Sequence, residues 1–182
     1  MRFIARHGRF LGNSVSINGN SAHIDVSTRK FPSAVAVVDR EDLPRLITGN
    51  RRWYAMRVNQ NKVYVTRSIG TTARDFIHRI ILGVSDPRIQ IDHRSGNTFN
   101  NRKANLRIAT PNGNRANSKK NCNNTSGYRG VSKVRNRGKW QVQIKVKQQS
   151  IYLGQFNSLT AAARAYDAAA RKYFGQYART NF

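Results

Sequence analysis

Two neighbouring side chains in the stretch IQIDHRSGN combine a carboxylate with an imidazole. They are Asp92 and His93, in a chain with only 8 acidic residues and 4 histidines. Asn105 lies 12 residues after His93, and Asn114 lies 21 after it. Carboxylate and amide oxygens suit Mg²⁺ or Mn²⁺, and a histidine can act as a general base near neutral pH. The four residues therefore predict a hydrolytic site that holds one divalent ion, Mg²⁺ or Mn²⁺.

Short elements must position these residues. IQIDH is typical of a strand, NLRIAT of a second strand, and PNGNRANSKK of a helix. A helix folded back across two antiparallel strands forms a ββα unit, in which Asp92 and Asn114 converge as metal ligands. His93 would face the substrate as the general base, and Asn105 would hold its imidazole by a hydrogen bond.

Other interpretations of this segment stay open at this point. Asp92 and His93 could form only a turn after a strand, with ordinary turn asparagines beyond them, because Asn is abundant here. Asn117, one helical turn after Asn114, is an alternative ligand. His78 lies off the apolar stripe of its helix. It either approaches a phosphate of the substrate or has a surface or packing role.

The segment IDHRSGNTFNNRKANLRIATPNGNRAN (91–117) resembles the HNH endonucleases, in particular their homing branch. The resemblance extends upstream to AVVDREDLPRLITGNRRWYA and FIHRIILG. It implies that His93 activates water, that Asp92 and Asn114 bind one divalent ion, and that Asn105 supports the site. Asn114 stands where the family has its second histidine.

The charge of the chain indicates its partner. With 33 Lys and Arg against 8 Asp and Glu, the net charge is +25 and the isoelectric point about 11.6. Between Asp92 and Asp167, 74 residues pass without an acid while 15 Lys and Arg accumulate. Such a surface attracts polyanions in a salt-dependent way, so we expect nucleic acid as the partner.

Several further elements follow from local patterns. Alternating residues around Asn18 and Gly19 predict a hairpin, and RRWYAMRVNQNKVYVTRSI predicts two strands joined at NQNK. In TTARDFIHRIILGV the apolar residues recur at helical spacing, and Gly83 is placed to end the helix.

The C-terminal segment has the clearest pattern. In KWQVQIKVK (139–147) apolar residues alternate strictly with Lys and Gln, which predicts a strand with one apolar and one polar face. Neighbouring strands are expected before the turn RNRG and after the turn KQQS. Ser158 is a plausible N-cap for the helix LTAAARAYDAAARKYFG, whose alanines allow close packing on the apolar face.

Residues 126–182 resemble the APETALA-two/ethylene-response-factor (AP2/ERF) DNA-binding domains. SGYRGVSKV, GKWQVQIKV, YLGQFNSLTAAARAYDAAARKYFG and ARTNF carry the resemblance. It implies a three-stranded sheet lying in the major groove. Ser132, Val134 and Ser150 depart from the family, which usually has basic residues there, so its usual target is not implied. The expected DNA-binding residues, from the resemblance and from side-chain chemistry together, are Arg129, Gly130, Lys133, Arg135, Arg137, Lys139, Gln141, Gln143, Lys145 and Tyr152.

The expected fold class is α+β. A small β extension (1–34) leads into an HNH nuclease domain (35–118) whose ββα-metal core covers about 86–118. A linker (119–127) connects it to an AP2/ERF-type domain (128–182), with three antiparallel strands packed on one helix.

The expected function is a metal-dependent, site-specific DNA endonuclease with a major-groove binding module. The alternative is a DNA-binding regulator with an inactive nuclease unit, and a more distant one is a basic structural protein on RNA. We expect double-stranded DNA as partner, no small-molecule cofactor, a monomer rather than a dimer, and a cytoplasmic location, or the host cytoplasm or nucleoid for a phage protein. No stretch has the ~18 apolar residues that a membrane span needs. The single Cys122 excludes a disulfide within the chain.

Overall fold

The computed structural model describes residues 7–10, 12–47, 51–60, 62–117, 123–135 and 137–182. The chain divides into two compact units, Met1–Ile108 and Ala109–Phe182. Both mix helices with mostly antiparallel sheets, so the predicted α+β class is confirmed. Residues 119–122 of the predicted linker, and residue 118 before them, lie outside the described residues.

The first unit begins with a four-stranded antiparallel sheet in the order β1-β2-β3-β4. Its strands are β1 (His7–Phe10), β2 (Asn13–Asn18), β3 (Ser21–Asp25) and β4 (Val35–Asp39). The predicted hairpin is the β2–β3 turn, where Gly19 has a φ of 54°. The boundary expected after residue 34 falls between two paired strands of this sheet.

A second antiparallel sheet follows a 3₁₀ turn (Arg40–Asp42) and helix α1 (Leu43–Leu46). It contains β5 (Tyr54–Asn59), β6 (Lys62–Ile69) and β7 (Ala73–Phe76), in that order. Helix α2 (Ile77–Leu82) comes next and ends at Gly83, as predicted. Gly83 adopts the left-handed conformation.

Two short strands complete the first unit. They are β8 (Gln90–His93) and β9 (Leu106–Ala109), which pair with each other, and a 3₁₀ turn (Lys103–Asn105) precedes β9. One apolar core joins both larger sheets to the helices and to this strand pair; its largest fully buried apolar side chains are Leu46, Ile77, Val26, Val38 and Val65.

The second unit contains helix α3 (Pro111–Ala116) and a three-stranded antiparallel sheet in the order β10-β11-β12. The strands are β10 (Val131–Lys133), β11 (Trp140–Val146) and β12 (Gln149–Phe156). Helix α4 (Leu159–Phe174) follows, and the Ser158 hydroxyl accepts a hydrogen bond from the Ala161 amide (3.3 Å) as an N-cap. The predicted N-cap is therefore confirmed.

Alanines on α4 allow the helix to lie close to the sheet. Ala162, Ala163 and Ala170 are fully buried against Val142 and Ile144 of β11. Fully burying an aliphatic side chain such as Ile144 contributes roughly 1.5–3 kcal/mol. The apolar half of the predicted alternation in β11 thus forms the core of this unit and leaves the polar half outside.

Strand, strand and helix occur in the chain order expected for a ββα-metal unit, as β8, β9 and α3. However, α3 belongs to the second compact unit, where a Cβ added at Gly113 would meet the Tyr177 ring at 2.9 Å. Among the described residues, β8, β9 and α3 therefore give no support for a ββα-metal unit.

Candidate nucleic-acid interface

Asp92 lies in β8 with its carboxylate buried against an arginine. Its Oδ2 accepts hydrogen bonds from Arg107 Nε (2.8 Å) and Nη2 (2.6 Å), and Arg107 belongs to the neighbouring strand β9. Asp92 is 5% exposed and Arg107 is 9% exposed. Removing either partner from such a buried pair leaves an uncompensated charge, so the pair constrains how β8 and β9 associate.

His93 is also buried, at 4% exposure, and its imidazole is held by an asparagine. His93 Nε2 lies 3.1 Å from Asn101 Oδ1. Asn101 Nδ2 donates to the carbonyls of Thr98 and Phe99, which fixes its oxygen toward the histidine. Nε2 therefore carries the proton in this contact. Burial lowers the pKa of His93, although the Asn101 hydrogen bond opposes that effect.

Asn105 supports the loop before β9 instead of the imidazole. Its Oδ1 accepts from the Ser95 amide (2.9 Å), and its Nδ2 donates to the Asn100 carbonyl (2.7 Å). The hydrogen bond that the sequence assigned to Asn105 is made by Asn101. The one signal for Asn101 in the sequence is its position among the asparagines of the same loop.

A histidine that the sequence left undecided packs against His93. The His78 ring on α2 lies 5.3 Å from the His93 ring, centre to centre, in an edge-on arrangement. Tyr64 and Phe76 lie 5.2 Å and 5.7 Å from it, and we call these four residues the aromatic cluster. His78 is 7% exposed, and its Nδ1 has no hydrogen-bond partner among the residues that the structure describes. Burial, reinforced by the nearby His93 and Arg79, lowers the pKa of His78 to about 3.

The expected metal ligands do not meet within one compact unit. Asn114 lies in α3, where its amide donates to the Thr110 carbonyl (2.9 Å), and Asn117 is buried just beyond that helix. Asp92 belongs to the other unit and faces Arg107. Within the described part of the chain, no three His, Cys, Asp or Glu side chains are grouped as a metal site. The divalent ion therefore stays a prediction.

The second unit presents a continuous polar surface on the side of its sheet that faces away from α4. In β11, Val142 and Ile144 are buried, whereas Gln143 and Lys145 are exposed. Register places Tyr152, which is 61% exposed, directly opposite Gln143. We call this surface the polar face; its residues are Ser132, Gln141, Gln143, Lys145, Ser150, Tyr152 and Gln155.

The loop between β10 and β11 adds cations beside this sheet. Arg135, Arg137 and Lys139 are exposed there, and the Val134 amide donates to the Lys139 carbonyl (2.8 Å), which closes the loop. Lys133 is exposed as well, but it pairs with Trp140 and so lies on the helix side of the sheet by register.

Arg129 and Gly130 precede β10 and are tightly packed. A Cβ at Gly130 would overlap the Tyr166 ring and the Gln143 carbonyl oxygen, and its φ is +66°. Gly130 therefore has a backbone role that other residues cannot fill. Burial lowers the pKa of the half-buried Arg129, and Arg179 adds to this. The neighbouring Tyr166 opposes this lowering of the Arg129 pKa.

The two units differ in their balance of basic and acidic residues. Residues 1–108 contain 19 Lys and Arg with 7 Asp and Glu, whereas residues 109–182 contain 14 with a single acid, Asp167. Asp167 is 2% exposed, so it does not offset the cations at the surface. No helix in the described ranges is both long and apolar enough to cross a membrane.

No family model matches the chain. The AP2-like ethylene-responsive transcription factor TOE2 of Arabidopsis thaliana is 47% identical over 58 residues, which cover 32% of this chain and 12% of that protein. The transcription repressor TEM1 of the same plant, named as containing AP2/ERF and B3 domains, is 45% identical over 58 residues, covering 32% and 16%. The ethylene-responsive transcription factor ERN1 of Medicago truncatula is 39% identical over 84 residues, covering 45% and 31%. The chain thus spans less than a third of each relative's length.

These relatives overturn one prediction. They are AP2/ERF transcription factors, not nucleases, so the prediction that the chain is an HNH endonuclease is wrong. The geometry of the first unit agrees, because Arg107 pairs with Asp92, the predicted metal ligand, and Asn101 hydrogen-bonds His93, the predicted general base. Over about a third of its length, this chain is homologous to proteins of the AP2/ERF transcription-factor group.

Proposed function

We propose that this chain is a DNA-binding regulator that recognises duplex DNA with the polar face of its second unit. The observation that carries the proposal is the division of one sheet into two surfaces. Helix α4 packs against one surface, while the other exposes Gln143, Lys145 and Tyr152 on adjacent strands. A two- or three-stranded surface of this kind fits the major groove.

The side chains of this surface have distinct expected roles. Gln141 and Gln143 can each pair with the N6 and N7 groups of adenine, and an arginine can pair with guanine O6 and N7. The exposed lysines suit phosphate oxygens, which position the protein without specifying sequence. Gln141 also hydrogen-bonds Ser132 (3.1 Å), so its amide is already oriented before DNA binds.

The charge predicts how binding depends on salt. Six expected contact residues of the second unit are cations: Arg129, Lys133, Arg135, Arg137, Lys139 and Lys145. If about four of them neutralise phosphates, log K should fall with log salt at a slope of roughly −3.6. That slope corresponds to a loss of about 150-fold in affinity between 50 and 200 mM salt.

The first unit has no catalytic role in this proposal. The buried Asp92–Arg107 pair and the neutral His93 support a structural role for the segment that was expected to cut DNA. Its excess of Lys and Arg adds attraction to DNA without sequence preference. The chain is taken to bind as a monomer, and a cytoplasmic location stays a prediction.

The test is selection of preferred duplexes from a random pool with the full chain, followed by fluorescence anisotropy on the winning site. We expect Gln143→Ala to reduce the preference for that site over a scrambled duplex by roughly 5–150-fold, the cost of one base contact. Arg171→Ala is the matched control, because Arg171 is an exposed cation on α4 and not on the polar face.

Three results would contradict the proposal. The first is the absence of any enriched duplex, and the second is tighter binding of RNA than of duplex DNA at physiological salt. The third is cleavage of supercoiled plasmid in the presence of Mg²⁺ that His93→Ala abolishes, because a regulator without catalysis predicts intact plasmid. Titration should also give one chain per site, and two would replace the monomer with a dimer.

A further inference from the structure

The single acid of the second unit is buried at a point where it contacts the end of the chain. Asp167 on α4 is 2% exposed. Its Oδ1 accepts hydrogen bonds from the Asn181 backbone N–H (2.7 Å) and from Asn181 Nδ2 (3.0 Å). Its Oδ2 accepts one from the Phe182 backbone N–H (2.9 Å). Charged acceptors make the stronger hydrogen bonds, so Asp167 fixes a segment that has no regular structure of its own.

Asn181 also hydrogen-bonds the backbone of Arg129. Its Oδ1 accepts from the Arg129 amide (2.7 Å), and its Nδ2 lies 3.5 Å from the Arg129 carbonyl oxygen. The carboxylate of Asp167 must face the NH₂ group of Asn181, because it can only accept hydrogen bonds. The amide oxygen is then left pointing at Arg129. Asp167 therefore sets the orientation of Asn181, and Asn181 holds the backbone of Arg129.

The next residue fixes Arg129 from the other side. Gly130 is packed against the Tyr166 ring, and its carbonyl accepts a hydrogen bond from the backbone N–H of Gln143 (2.9 Å). Gln143 is at the centre of the polar face. The Arg129 backbone is thus tied at once to the sheet that carries the polar face and, through Asn181, to α4.

We infer that Asp167 and Asn181 are positioning residues for DNA binding, which hold the Arg129 backbone so that its guanidinium is oriented before DNA arrives. The inference rests on the proposed function, in which Arg129 contacts DNA. An oriented side chain loses less conformational freedom on binding, so the contact gains affinity. Neither Asp167 nor Asn181 needs to touch DNA for this effect.

The test uses the full chain and the duplex selected above. We expect Asn181→Ala to weaken binding about tenfold, the effect of losing one well-placed hydrogen bond. Thr180→Val is the matched control, because among the described residues the Thr180 hydroxyl donates to the Phe182 carbonyl (2.6 Å) and not to Asp167 or Arg129. That control should bind as the wild type does.

A double-mutant cycle separates positioning from general stability. If Asn181 acts through Arg129, then adding Asn181→Ala to Arg129→Ala causes no further loss of affinity. Additive losses, or an Asn181→Ala protein that binds normally while Arg129→Ala binds weakly, would overturn the inference and leave the proposed function intact. Absence of sequence preference in the wild type would instead overturn the proposed function.

Folding is monitored for each variant by circular dichroism. If Asn181→Ala does not fold, Asn181→Gln goes through the same cycle, because it keeps both amide groups but displaces them by one methylene. The expected results are the same, and additivity again overturns the inference.

Discussion

His78 makes the stability of the first unit depend on pH, and the effect can be calculated. The pKa of His78 is about 3 in the folded protein, compared with about 6.5 for an unperturbed histidine. Between those values the unfolded chain binds one more proton than the folded chain, so stability falls as the pH falls. Above about pH 6.5 the unfolded histidine is mostly neutral as well, so His78 then costs the folded protein little stability. From pH 7.5 to 5.0 this residue alone should remove about 2 kcal/mol from the free energy of unfolding.

The substitution His78→Leu should remove this part of the pH dependence. Leucine has a similar volume and no polar atom, and within the described part of the chain His78 Nδ1 has no hydrogen-bond partner to lose. The variant is expected to be at least as stable as the wild type at pH 7.5, because an unsatisfied buried nitrogen costs about 1–3 kcal/mol. Its advantage over the wild type should then grow by about 2 kcal/mol at pH 5.0.

Urea unfolding measured by tryptophan fluorescence provides the assay. The chain has two tryptophans, and Trp53 is buried in the first unit at 3% exposure. A Trp140→Phe background therefore makes the signal specific to that unit. Tyr64→Phe is the control, because it changes the aromatic cluster without removing an imidazole. Equal slopes of stability against pH in His78→Leu and the wild type would refute the reasoning.

Three further predictions concern stability. Arg107→Ala should destabilise the first unit by about 3–5 kcal/mol in urea unfolding, since it leaves Asp92 buried and unpaired. The double variant Asp92→Leu, Arg107→Met should recover most of that loss. Gln148→Gly should raise the stability of the second unit by about 1 kcal/mol, because Gln148 has a φ of 72° in the β11–β12 turn; a lower melting temperature would contradict this. Gly130→Ala should unfold the second unit or abolish DNA binding in the anisotropy assay, since its Cβ has no room, and an unchanged Kd would show that the loop relaxes.

The three-stranded sheet and helix α4 of the second unit could be predicted from the sequence, whereas α3 was predicted as part of a ββα unit. The alternation from Trp140 to Val146 produced a strand with the expected buried and exposed faces, and Ser158 capped the helix that covers it. These features depend on residues close together in the chain, so local pattern is sufficient. The turn at KQQS was also predicted, although nothing local required Lys147 and Gln148 to take positive φ angles.

The chemistry of the first unit could not be predicted in the same way. The spacing of Asp92, His93 and Asn105 was taken as a site, but spacing along the chain does not say which groups satisfy one another. Asp92 is paired with Arg107, and the imidazole is held by Asn101. Both partners were visible in the sequence only as one more arginine and one more asparagine.

By itself, the sequence determined the basic charge, the α+β class and the two-sided strand β11 with its exposed Gln143 and Lys145. These properties follow from composition and from periodicity, which each residue carries wherever the chain folds. The tertiary structure alone decided that His78 is buried beside His93, that Arg107 neutralises Asp92, and that Asn181 reaches Arg129. These contacts join residues 15 to 52 positions apart, and their energies depend on burial and orientation, which exist only after the chain has folded.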